Sequence, residues 1–107
     1  MSFNYTDEQL NGLNQDYAVY SVNKDFSDRN KQKLVTSNPK NNNEIDTITT
    51  SDGQEFRVIA TKADPKTGFD GMAVAPIVNG KPDYKSVAVV AAGTDPKNKE
   101  YLYLSVN

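Results

Sequence analysis

Apolar residues recur at helical spacing near the start of the chain, where Leu10, Leu13, Tyr17 and Tyr20 fall on one stripe. Thr6 precedes the stripe and Gln9 follows three residues later, the pattern of a capping box. Asp7 and Glu8 stand where a helix dipole favours negative charge. The spacing predicts a helix over Asp7–Val22, in which Gly12 costs about 1 kcal/mol relative to Ala. Its tyrosines read as core packing rather than as a binding face. Residues 23–43 are polar, and they allow a short second helix over Ser27–Val35, capped by Ser27 and anchored by Leu34 and Val35. Pro39 and the Asn41–Asn43 run then predict a solvated loop.

From Glu44 the period changes to two. A β-branched run, Glu44–Thr50, is followed by Ser51-Asp52-Gly53-Gln54 and by the alternating run Glu55–Thr61. Asp-Gly between two such runs is a strong hairpin signal. Residues 64–71 carry turn chemistry throughout. Met72–Val78 reads as a third strand, whose Pro76 points to an edge or a bulge. Asn79-Gly80 opens another turn. Tyr84–Ala92 is the fourth strand, and its Val87–Ala92 run is apolar on both faces, as in a central strand of a sheet covered on each side. Tyr101–Val106 supplies a possible fifth strand. The class is therefore α+β: an N-terminal helical segment followed by a mainly antiparallel sheet of four or five strands. Short connections favour sequential pairing. One domain is expected over 1–107, with a helical and loop region at 1–43 and a β-rich meander at 44–107.

Composition narrows the function more than it identifies it. A chain of 107 residues has room for one modest core. With 12 basic and 14 acidic residues, no electrostatic excess draws it to nucleic acid or to an anionic membrane. Cysteine and histidine are both absent, which excludes a self-contained Ser-His-Asp or Cys-His triad and metal sites built on thiolate or imidazole. No stretch approaches the roughly 18 apolar residues of a membrane span. The N-terminus lacks the basic and apolar regions of a signal peptide. The expected location is cytoplasmic, or exported without a cleaved signal peptide. Asp64 and Asp70, with a glycine between them, suit a hard cation, but they match no EF-hand loop and read as a strand connection. Phosphate-binding glycine loops are missing as well. No cofactor, metal or catalytic residue is assigned.

The most informative stretch is Val87-Ala88-Val89-Val90-Ala91-Ala92-Gly93-Thr94-Asp95-Pro96, an apolar strand running into Gly-Thr and a polar turn. Here the chain resembles the N-terminal part of lipase-like α/β-hydrolases of the class 3 type, in which a buried strand ends in a Gly-Thr motif. The resemblance covers about residues 44–98. It implies that the loop after the strand helps build an oxyanion hole, with Gly93 permitting a sharp exit and Thr94 the candidate donor. It also implies a bacterial, Gram-positive source, with which the Asn- and Lys-rich usage agrees. The family's nucleophile elbow, G-x-S-x-G, occurs nowhere in the chain. What the resemblance implies is thus a non-catalytic or incomplete hydrolase domain, not a triad enzyme.

The alternative is a small independent α+β interaction module. Tyr84, Tyr101 and Tyr103 are then the binding candidates, because tyrosine combines contact area with a polar tip. A stand-alone enzyme using carboxylates, lysine or hydroxyls is a third possibility. On either of the first two readings the expected partner is a protein, or a second copy joined through an edge strand. In a broken hydrolase one side of Val87–Ala92 would lack its parallel neighbour, a gap that Tyr101–Val106 or another chain would fill.

Overall fold

The computed structural model describes residues 3–14, 19–92 and 101–106. Helix α1 (Asp7–Asn14) begins as its capping box dictates. The Gln9 backbone N–H donates to Thr6 Oγ1 at 3.1 Å, and the Thr6 N–H donates to Gln9 Oε1 at 3.0 Å. The predicted helix over Asp7–Val22 is not α-helical at its far end. Tyr20–Val22 forms a separate 3-10 helix, and Tyr17 lies outside the described residues. Leu10 and Leu13 are buried, and it is this apolar face rather than propensity that holds the helix.

The second helix is displaced from the predicted Ser27–Val35. Helix α2 spans Lys24–Arg29, and its cap is Asn23, whose side chain accepts from the Phe26 N–H at 3.2 Å. Ser27 is buried inside the helix and donates to the Lys24 carbonyl. A Schellman turn ends it: the Gln32 N–H reaches the Ser27 carbonyl at 2.9 Å and the Lys31 N–H reaches Asp28 at 3.3 Å. Lys31 occupies the left-handed position of that turn, at φ +55°, where glycine is the usual residue. Leu34–Val35, the expected helix anchors, instead form strand β1, parallel to β2 (Glu44–Ile45).

Six further strands follow: β3 (Thr47–Thr49), β4 (Glu55–Asp64), β5 (Phe69–Val78), β6 (Lys81–Pro82), β7 (Val87–Ala92) and β8 (Tyr101–Val106). The main sheet has the order β3-β4-β5-β7-β8, antiparallel throughout, with β6 paired to the end of β5. The fold class is α+β, as the change of period predicts. The expected strand Glu44–Thr50 is divided, because its first part pairs with β1 and its second with β4. Pro76 sits neither at an edge nor in the bulge, which falls between Val58 and Ala60 of β4. An inner strand tolerates this proline because the β5–β7 ladder ends at Val74↔Ala88, two residues before it.

Register assigns the two faces. Phe56, Val58, Met72, Val74, Ala88 and Val90 line the inner face and are all buried. Leu13, Val19 and Val22 cover them from the helical side. Phe3 and Tyr5 extend the cover: Tyr5 stacks on Phe56 with ring centroids 5.5 Å apart, and its hydroxyl donates to the Ser86 carbonyl at 2.6 Å. Among the described residues helical cover lies on one face only, not on both as the apolar run of β7 suggests. On the outer face Ala73, Val87 and Val89 stay partly exposed.

The Asp-Gly hairpin forms as expected, with Gly53 at φ +88°. Its Asp52 also ties helix to sheet, accepting from Gln9 Nε2 at 2.9 Å and from the Thr50 hydroxyl. Hydrogen bonding, first from Thr50 and then from Gln9, holds the Asp52 carboxyl below its ordinary range. A carboxyl depressed in the folded state contributes stability above its unfolded value, about pH 4. That contribution is lost as pH falls through the lower folded value. Thermal melts followed by circular dichroism should therefore show Asp52→Asn less stable than the parent at pH 7, with the difference closing well below pH 4.

Candidate functional site at the end of the central strand

β7 lies between β5 and β8, and its C-terminal end is the place where the sequence puts the candidate oxyanion loop. Gly93 and Thr94 lie outside the described residues. Asn14, buried at the end of α1, donates its amide Nδ2 to the Ala91 carbonyl at 3.0 Å. This bond fixes the helix end to the strand end and satisfies a carbonyl at the sheet's border. Gly71 pairs with Ala91, so Asp70, the next residue along β5, stands beside the position of Ala92. The Asp70 carboxylate accepts a long contact from Asn23 Nδ2, at 3.5 Å. Burial pushes the Asp70 carboxyl up from its ordinary range, and the Asn23 contact opposes that only in part.

The β7 exit is thus bordered by two asparagine amides and a half-buried carboxyl. Asn14 is committed to the backbone and positions the strand end. Asp70 is the one group here whose protonation burial has moved toward neutral pH. Neither asparagine is legible as a site residue, since each acts across the fold: Asn14 on Ala91, and Asn23 on Asp70 while also capping α2. Asp70 does stand out in the sequence, but paired with Asp64 as a cation ligand. The structure uses the two differently. Asp64 closes its own turn, accepting from the Lys66 N–H at 2.9 Å, while Asp70 faces Asn23. Among the described residues no group of three or more His, Cys, Asp or Glu comes together as a metal site would require.

Along the backbone the three candidate tyrosines stand at different places about β7 and β8. Tyr84 is 63% exposed in the link between β6 and β7, ahead of Val87. Tyr101 is the register partner of Ala92 and Tyr103 that of Val90. Val87 and Ala92 are about 17 Å apart along an antiparallel strand, so Tyr84 and Tyr101 occupy opposite ends of β7. The outer face supplies a different apolar feature. Phe69, 38% exposed, lies over Gly71, where a Cβ would stand 2.8 Å from the ring. Beside the ring, Ala60, Ala73 and Val89 floor a shallow recess of about 180 Å³, with Lys62 at its margin. A glycine at position 71 is what lets the ring lie down on the sheet.

Among the described residues no helix is long and apolar enough to cross a membrane. No protein-family model, curated protein or solved structure matches the chain.

Proposed function

We propose that this chain is a non-catalytic, lipase-like domain that supplies the strand and oxyanion-loop side of a hydrolase crevice. The nucleophile and its base would lie outside these 107 residues, in a longer gene product that carries the catalytic half. One observation carries the reading: β7 is apolar on both faces, yet the described helices cover only one. A sheet strand of that composition ordinarily has a layer on each side. Ala60, Ala73, Val87 and Val89 with the Phe69 ring form the surface on which a partner's amphipathic helix would complete the second layer. Lys62 beside them favours an acidic residue at that helix's edge. By itself the chain has no G-x-S-x-G elbow and no histidine, so p-nitrophenyl ester hydrolysis at the buffer rate is expected.

Size-exclusion chromatography with light scattering, over a concentration series, tests the reading. An apolar face built for a partner associates with itself when the partner is missing. A concentration-dependent dimer that Val89→Lys disperses is therefore expected. A monomer at every concentration, with Val89→Lys as soluble and stable as the parent, overturns it. That outcome favours the second reading, a self-sufficient α+β interaction module. The observation in favour of that reading is β8, which folds back antiparallel along the free side of β7 and fills the place of a missing parallel neighbour.

A further inference from the structure

The chain holds two Asn-Gly steps, Asn11-Gly12 and Asn79-Gly80, and two Asp-Gly steps, Asp52-Gly53 and Asp70-Gly71. In each, the glycine carries no side chain to keep its nitrogen from the side-chain carbonyl carbon of the residue before it. Attack there closes a five-membered succinimide. The fold treats the four steps differently. Asn11-Gly12 lies inside α1, where the glycine N–H is committed to a carbonyl four residues back. Gly12 also packs on Thr50, whose Cγ2 would stand 3.2 Å from an added Cβ. The Asp52 carboxylate is tied to Thr50, to Gln9 and to the Gln54 N–H. Asp70-Gly71 is paired within the sheet, Asp70 with Ala63 and Gly71 with both Lys62 and Ala91.

Asn79-Gly80 is held by none of these devices. It is the exposed two-residue turn between β5 and β6, with Asn79 at φ +53° and Gly80 at φ +79°. Two positive φ angles mark a type I′ turn, which leaves the N–H of its second residue outside the ladder. No hydrogen bond among the described residues engages the Asn79 side chain. Around Gly80 an added Cβ would meet nothing within 4 Å. Strand β6 pairs only at Ile77↔Pro82 and Val78↔Lys81, and Pro82 has no N–H to give. So thin a ladder opens locally while the main sheet stays closed, which brings the Asn79 carboxamide within reach of the Gly80 nitrogen.

We propose that Asn79-Gly80 is a site of spontaneous covalent modification, deamidating through a succinimide while the chain stays folded. The Gly80 nitrogen bonds to Asn79 Cγ, the Cγ–Nδ2 bond breaks, and ammonia leaves with the Gly80 amide proton. Water then opens the ring at either carbonyl, leaving aspartate or isoaspartate at position 79. Either product adds one negative charge to the formal −2. Isoaspartate also lengthens the main chain by a methylene, which the two-residue turn has no room for, so the Val78↔Lys81 pairing is lost. This inference does not depend on the lipase-like reading.

The test incubates the full folded chain in warm, mildly alkaline buffer, beside a sample unfolded in guanidinium chloride. Ion exchange follows the acidic product, and peptide mapping by mass spectrometry locates the converted residue. In guanidinium both Asn11 and Asn79 should convert. In the folded chain only Asn79 should, and the Lys81 amide of the isoaspartate form should lose its exchange protection. Asn79→Gln should abolish the early acidic form, because the longer side chain closes its ring far more slowly. Asn11→Gln should leave that form unchanged. An Asn79 that stays intact in the folded chain overturns the proposal. So does folded-state conversion of Asn11 as fast as that of Asn79, or an acidic form that Asn79→Gln does not remove.

Discussion

Phe56→Ala should destabilise the protein by about 3–5 kcal/mol, the range for truncating a buried aromatic side chain. Phe56 has no exposed surface and stands on the inner face of β4, opposite Ile48 on one side and Pro76 on the other. Tyr5 stacks on its ring, and Phe3 meets it edge-on with ring centroids 5.9 Å apart. Removing the ring therefore takes away more than one transfer energy. It empties the floor under the N-terminal strap, whose backbone and hydroxyl bonds run to Ser86. Against a typical total of about 5–15 kcal/mol, the loss is a large fraction. Urea denaturation should show the midpoint falling sharply at nearly constant slope. A shift under 1 kcal/mol would mean that strap and sheet are not one cooperative unit.

Leu13→Ala should come next, at about 2–5 kcal/mol. Leu13 is fully buried and belongs to the core cluster with Val58, Val74 and Val90. Helix α1 is held mainly by packing of its apolar face rather than by propensity, so it does not persist when this docking contact is gone. The effect should therefore spread along α1. Hydrogen exchange should show amides 10–14 losing protection while the centre of the β4–β5 ladder keeps most of its own. Because Asn14 holds the Ala91 carbonyl from the same helix end, the border of the candidate site should loosen with it. Protection that survives in α1 would show that the capping box and the Asp52 tie suffice to dock the helix.

Local chemistry was most readable where neighbours in sequence are neighbours in space. Thr6 and Gln9 form their capping box, and Ser51-Asp52-Gly53-Gln54 turns between two paired strands. The alternation of Phe56, Val58 and Ala60 predicts one inner face; it holds for Phe56 and Val58, but the bulge between Val58 and Ala60 turns Ala60 to the outer face. Each feature is governed by contacts within a few residues, so pattern and propensity suffice. Element ends were less readable. Ser27 carries the side chain of a cap yet lies inside α2, because Asn23 offers its side chain to Phe26 first. Leu34 and Val35 look like the anchors of a helix, yet they pair with Glu44 and Ile45 across a loop.

The candidate site divides along the same line. Gly93 and Thr94 stand out by their place after an apolar strand, whereas Tyr84, predicted to begin that strand, is exposed in the turn before it, because β7 starts only at Val87. No periodicity announces that Asn14 reaches Ala91, that Asp70 is half-buried beside Asn23, or that Ser21 is left without a partner. Hydrophobic alternation, turn residues and caps sufficed for the α+β class and the antiparallel meander, since they act over short stretches of chain. Which face of β7 received a helix, and which polar groups were buried without compensation, depended on contacts between residues far apart along the chain. Those contacts form only when the sheet and the described helices close on each other, and a linear pattern holds no record of their geometry.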